Sequence, residues 1–174
     1  MKRLLLFRHA KAVPGGAGTD DHARELMPRG RDDASRMGRY IERNGYTPEI
    51  ILASTSTRTT ETVEEASEHF MATARVDYLE PLYLAEPDAI LSIVRLAPDK
   101  ADSVMVVGHN PGLEQVASLL AREPVKRKER DRFDLLEEKF PTAALAVLEF
   151  DAVRWRDIAA GEGVLKDFVR PRDI

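Results

Sequence analysis

Three short stretches, far apart in the chain, hold the residue types that phosphate chemistry needs. They are Arg8-His9, then Ser54-Thr55-Ser56-Thr57-Arg58, then Gly108-His109-Asn110. Phosphoryl transfer asks for in-line positioning of a nucleophile and dense positive donors around the equatorial oxygens, with little else. Arginine forks match phosphate oxygens in pairs, and the amino-terminal end of a helix at 55–57 adds backbone N–H donors. A neutral imidazole can attack phosphorus. The phosphohistidine so formed is labile enough for water to discharge it, so one difficult step becomes two easier ones.

Other routes to the same chemistry lack their residues. The chain has no Gly-x-x-x-x-Gly-Lys-Ser/Thr loop, no Asp-x-Asp pair, and no His-x-His or His-Glu-x-x-His spacing, so neither a cofactor nor a metal is expected. It has no cysteine, which removes thiolate nucleophiles and disulfides and suits a reducing cytoplasm. At 174 residues and a net charge of −4, it has the size of one compact domain, 1–174, with no general attraction for nucleic acid or membrane surfaces. An anion site must therefore be local.

The three stretches need a frame that brings them together. Arg3–Phe7 is a short apolar run ending in a Gly-rich polar segment, the pattern of a buried strand feeding a loop. Ala34, Met37, Gly38 and Ile41 then follow a helical period over about 31–44, stopped at Asn44-Gly45. Glu49–Ala53 reads as a second strand, with Ser54 or Thr55 capping a helix that buries Val63, Ala66 and Phe70. Arg75–Leu79 is a third strand, followed by a helix with Pro87 in its first turn that buries Ile90, Ile93, Val94 and Ala97. Ser103–Val107 is a fourth, with Asn110 as cap and Pro111 as first residue of the next helix. Four strand–helix alternations predict an α/β three-layer sandwich, a mostly parallel sheet flanked by helices. In such sheets ligands bind beyond the carboxyl ends of the strands, where all three stretches fall. Ala143–Phe150 reads as a further strand, with weaker ones at Trp155–Ile158 and Val164–Val169, added antiparallel at the sheet edge. The charged run 126–132 reads as a solvated face, because alternating signs favour exposed pairing. His22 and His69 are read as having no chemical role.

Arg8-His9-Ala10, an arginine four residues after Ser54 and a late Gly-His together resemble the signature of the histidine phosphatase superfamily, whose fold is that of phosphoglycerate mutase. The short length, His109-Asn110-Pro111-Gly112 and Arg24-Glu25-Leu26-Met27-Pro28-Arg29-Gly30 look like its SixA-type phosphohistidine phosphatases. The resemblance implies His9 as nucleophile, with Arg8, Arg58 and His109 binding the phosphate. It places Arg24 in the same pocket and has Ser54 and Asn110 shape it. Larger relatives use a carboxylate after the third strand as proton donor; Glu80 and Glu86 flank the corresponding region here without matching cleanly. SixA-type enzymes lack that acid, and a phosphoramidate nitrogen can carry its proton before it leaves. The implied partner is a phosphorylated protein, such as a histidine-containing phosphotransfer domain. The alternatives are a small phosphorylated metabolite, or a module that binds phosphate without turnover.

Overall fold

The structure is a computed structural model that describes residues 1–70 and 73–174. Its six strands are β1 (Lys2–Arg8), β2 (Ile50–Ala53), β3 (Arg75–Tyr78), β4 (Ser103–Gly108), β5 (Leu145–Phe150) and β6 (Val164–Val169). They form one sheet in the order β3-β2-β4-β1-β5-β6. The first four run parallel to one another, while β5 pairs antiparallel with β1 and β6 antiparallel with β5.

Five helices cover both faces: α1 (Pro28–Arg43), α2 (Thr57–Ser67), α3 (Pro87–Arg95), α4 (Gly112–Leu120) and α5 (Arg127–Glu138). The β1 side chains divide between two cores. Leu4 and Leu6 join the core under α3, α4 and α5, whereas Leu5 and Phe7 join the core under α1 and α2. A strand buried on both faces reads as a continuous apolar run rather than an alternating one. Leu4-Leu5-Leu6-Phe7 is such a run. No described helix is long and apolar enough to cross a membrane.

Several elements differ from their sequence reading. The charged run is solvated as expected, with Lys126, Arg127, Lys128, Arg130 and Asp131 exposed, but from Arg127 onward it forms the unpredicted helix α5. Leu136 is buried there, and buried Glu129 accepts hydrogen bonds from Arg122 at 3.1 Å and from the Val125 N–H at 3.1 Å. Trp155 sits in a short 3-10 turn, Trp155–Asp157, and not in a strand. Its backbone N–H goes to Asp99 at 2.9 Å and its indole N–H to the Ala101 carbonyl at 2.8 Å, so no ladder partner is needed. α1 begins earlier than expected, at Pro28. The α2 cap position is Ser56 rather than Ser54 or Thr55, and α2 ends at Ser67, leaving Phe70 buried in the following turn. α3 ends at Arg95, two residues short of Ala97. Pro111 is the α4 cap residue, one position before the helix.

Close backbone contacts set α1 against its neighbours. A Cβ on Gly30 would lie 2.1 Å from the Lys11 carbonyl oxygen, and one on Gly38 would lie 2.2 Å from the Ala66 carbonyl oxygen. Only a residue without a side chain allows α1 to approach the chain after His9 and the body of α2 so closely. Gly38→Ala is expected to lower stability by about 1–3 kcal/mol, read as a drop in the urea midpoint. An unchanged midpoint would mean that the two helices are not so tightly packed.

Candidate active site

The register of the parallel sheet creates the site. Arg8 pairs with Gly108 across β1 and β4, so the next residues on each strand, His9 and His109, emerge side by side. Their ring centroids are 5.2 Å apart. On the other side of β4, Ala53 pairs with Val107, which brings Ser54 beneath His109. From β1 the chain crosses one face to β2 through α1, and from β4 it leaves over the opposite face through α4. The crevice between the ends of β1 and β4 is therefore the switch point at which doubly wound sheets bind ligands.

A pocket of about 370 Å³ opens there, lined by Arg8, His9, Arg24, Arg58, His109 and Asn110 among others. Arg58 comes from the first turn of α2 and is buried. Ser54 lies behind the pocket, fully buried, with its hydroxyl 2.8 Å from His109 Nε2. Asn110 donates to the Phe140 carbonyl at 2.9 Å and accepts from the Glu114 N–H at 3.3 Å. It shapes the wall in this way. Glu80 and Glu86 do not line the pocket. Glu80 is 70% exposed and bonded by Thr55, while Glu86 is the exposed cap residue of α3.

Hydrogen bonds fix the tautomers of both rings. His9 Nδ1 lies 2.8 Å from the Ala10 carbonyl oxygen. A carbonyl can only accept, so Nδ1 carries the proton and Nε2 keeps its lone pair. For His109 the assignment is reversed. Arg58 Nη2 donates to its Nδ1 at 3.2 Å, leaving Nε2–H to donate to Ser54. Arg8 Nε and Arg58 Nε are buried donors without a partner among the described residues, which suits a cradle for anionic oxygens.

Sequence reasoning missed Asp21 and Tyr83. Asp21, on the short turn Asp21–Ala23, is the carboxylate of the pocket lining. It accepts from the Tyr83 hydroxyl, from Arg58 at 3.1 Å and from Arg24 at 3.0 Å. The Tyr83 bond above all, with the two guanidinium groups, holds its carboxyl down to about 2. The one signal in the sequence was the three-residue spacing from Asp21 to Arg24, which suits an ion pair across a tight turn. Tyr83 also packs edge-on against His109, with centroids 5.4 Å apart. Nothing in the local sequence marked it. No three His, Cys, Asp or Glu side chains cluster to hold a metal ion among the described residues.

This fold, with two neutral imidazoles, one buried guanidinium group and one half-buried one at the switch point, defines a class of phosphate-handling α/β proteins. No protein-family model matches the chain. An uncharacterised protein of Mycobacterium tuberculosis is 34% identical over 167 residues, covering 95% of this chain and 100% of that protein. A solved structure assigned as the phosphohistidine phosphatase SixA of Nakamurella multipartitia is 29% identical, with a TM-score of 0.82 over 98% of this chain and 96% of that one. A similarly assigned SixA of Agrobacterium tumefaciens is 29% identical, with a TM-score of 0.77 over 98% of both chains. The chain belongs to the histidine phosphatase superfamily, in its SixA-type group.

Burial pushes both imidazoles far below their ordinary value of 6.5. His9 falls to about 3, with His109, Arg58 and Arg8 acting in the same direction, and His109 falls to about 3, with Arg58 as the next cause. Both are neutral at pH 7. Between about pH 3 and 6.5 the unfolded chain binds more protons than the folded one, so stability falls as pH drops through that window, by up to about 1.4 kcal/mol per unit per ring. His9→Gln removes one of the two titrations. Its urea midpoint is expected to fall less steeply between pH 7 and 5 than that of the wild type; equal slopes would show that His9 is not held neutral by burial.

Proposed function

We propose that residues 1–174 act as one phosphatase domain that hydrolyses phosphohistidine on proteins through a covalent phosphohistidine at His9. The observation that carries this reading is the His9 Nδ1–H bond to the Ala10 carbonyl. It presents Nε2, without a partner among the described residues, as the nucleophile. In the first step Nε2 attacks phosphorus, the bond from phosphorus to the leaving nitrogen breaks, and the substrate imidazole departs. Arg8 and Arg58, whose Nε–H groups have no partner among the described residues, hold the equatorial oxygens, with Arg24 at the rim. His109, its Nδ1 bonded by Arg58 and its Nε2–H given to Ser54, positions the Arg58 guanidinium instead of donating to the phosphate. In the second step water attacks phosphorus, the bond to Nε2 breaks, and inorganic phosphate leaves with His9 restored.

The position of the carboxylates favours this substrate over a phosphate ester. An alkoxide leaving group needs a proton from the protein. Asp21 is held ionised by three donors, and Glu80 and Glu86 lie outside the pocket lining. A phosphoramidate nitrogen arrives able to carry its own proton. The absence of cysteine suits a cytoplasmic setting for such a protein substrate.

Rapid quench with a ³²P-labelled histidine-phosphorylated peptide, followed by peptide mapping, tests the assignment. Label is expected on the fragment Leu4–Lys11 and lost in His9→Gln, with turnover falling by at least about 10³-fold. Label on another peptide would overturn the assignment of the nucleophile. Glu80→Gln and Glu86→Gln are expected to change turnover of an alkyl phosphate, whose alkoxide leaving group needs a proton, by less than about twofold, because neither side chain reaches the pocket. A large loss in either would identify a proton donor and favour a small phosphate ester as substrate.

A further inference from the structure

A second groove of about 270 Å³ lies beside the catalytic pocket. Lys11 and Thr142 line both, so the two are neighbours on one surface. The groove is walled by the chain after β1, the first turns of α1, the end of α5 and the turn after β6. Its cations are Lys11, Arg29, Lys139, Arg170 and Arg172. Among the described residues, Arg170 alone of these five is held in an ion pair, by Asp173 at 2.9 Å. The two carboxylates in the lining are Glu138 and Asp33, and Asp33 already faces Arg36 at 3.4 Å.

Five cations against two carboxylates invert the sign of a chain whose net charge is −4. A concave wall of one sign focuses its potential into the groove. Arg29 adds an independent argument: it stands in the first turn of α1, at the positive end of the helix, where a cation is unfavourable. Its placement does not serve the helix. Lys11, Arg29, Lys139 and Arg172 are exposed, on long flexible side chains. Small-molecule sites instead enclose most of their ligand. Such an arrangement suits the acidic face of a macromolecule.

We propose that this groove docks acidic side chains flanking the phosphorylated residue of a protein substrate, setting which phosphoproteins reach His9. The inference rests on the phosphohistidine reading above and adds a recognition element outside the catalytic pocket. Attraction of this kind acts mainly on encounter and register, so it should appear in kcat/KM and weaken with salt.

The test uses two histidine-phosphorylated peptides of equal length, one flanked by Asp and Glu and the other by Asn and Gln. Phosphoramidate serves as a substrate too small to reach the groove. The wild type is expected to favour the acidic peptide about tenfold in kcat/KM at low salt, with the preference shrinking as salt rises. In the triple variant Arg29→Gln, Lys139→Gln, Arg172→Gln the preference should vanish, while the neutral peptide and phosphoramidate keep their wild-type rates. Equal rates for the two peptides in the wild type, or a preference that survives in the variant, would overturn the proposal. Fluorescence anisotropy with the unphosphorylated acidic peptide reads the groove independently of turnover. Weaker binding by the variant supports docking, and unchanged binding refutes it. No hydrolysis of either peptide or of phosphoramidate by the wild type would instead refute the phosphohistidine reading, leaving the binding arm to decide the groove.

Discussion

The site depends on the parallel pairing of β1 with β4 in one register. Both faces of β1 are buried, so apolar patterning alone penalises a one-residue slip only weakly. The ends of the strand supply what the middle does not. At its start, buried Lys2 donates to the Ala101 carbonyl and to Asp102, each at 3.0 Å, just before β4 begins. A slip would leave that ammonium buried without its partners, which is costly. A charge at one end of the strand thus helps to fix where His9 and His109 meet at the other.

Electrostatics at that meeting point are set by burial. Two imidazoles lie among guanidinium groups in a partly dry crevice, and both effects disfavour a proton on the rings. The result is a neutral His9 ring whose Nε2 keeps its lone pair. The arginines remain charged beside it, so the groups that repel a proton from His9 are those that attract a phosphoryl group. A single arrangement serves both ends.

The loop between β1 and α1 completes the pocket from outside the sheet. A bridge between Ala12 and Leu26 and the Met27 N–H bond to the Lys11 carbonyl at 2.9 Å hold it closed on itself. Asp21 at its tip then gathers Arg24, Arg58 and Tyr83 from three segments. This carboxylate balances the guanidinium charge and orients it, while the groove beyond Lys11 and Thr142 carries the excess of positive charge outward along the surface.

The sequence by itself determined the layered α/β fold, the strand-end placement of Arg8, His9 and His109, and the placement of Arg58 at the start of the helix after β2. All three follow from local patterns: apolar runs of strand length, helical periods between them, and reactive residues just past each run. The antiparallel edge was legible in the same way through β5 and β6. Local pattern failed where a residue's role depends on a distant partner. α5 stayed hidden in alternating charges because its stability comes from Glu129 and Leu136 meeting other segments, and Trp155 was read as a strand residue because its hydrogen bonds go to Asp99 and Ala101. Only the tertiary structure brought Asp21 and Tyr83 to the pocket, left Glu80 and Glu86 outside it, and gathered the groove cations from four separate stretches. Such groupings are made by packing across the chain, which no window of neighbouring residues contains.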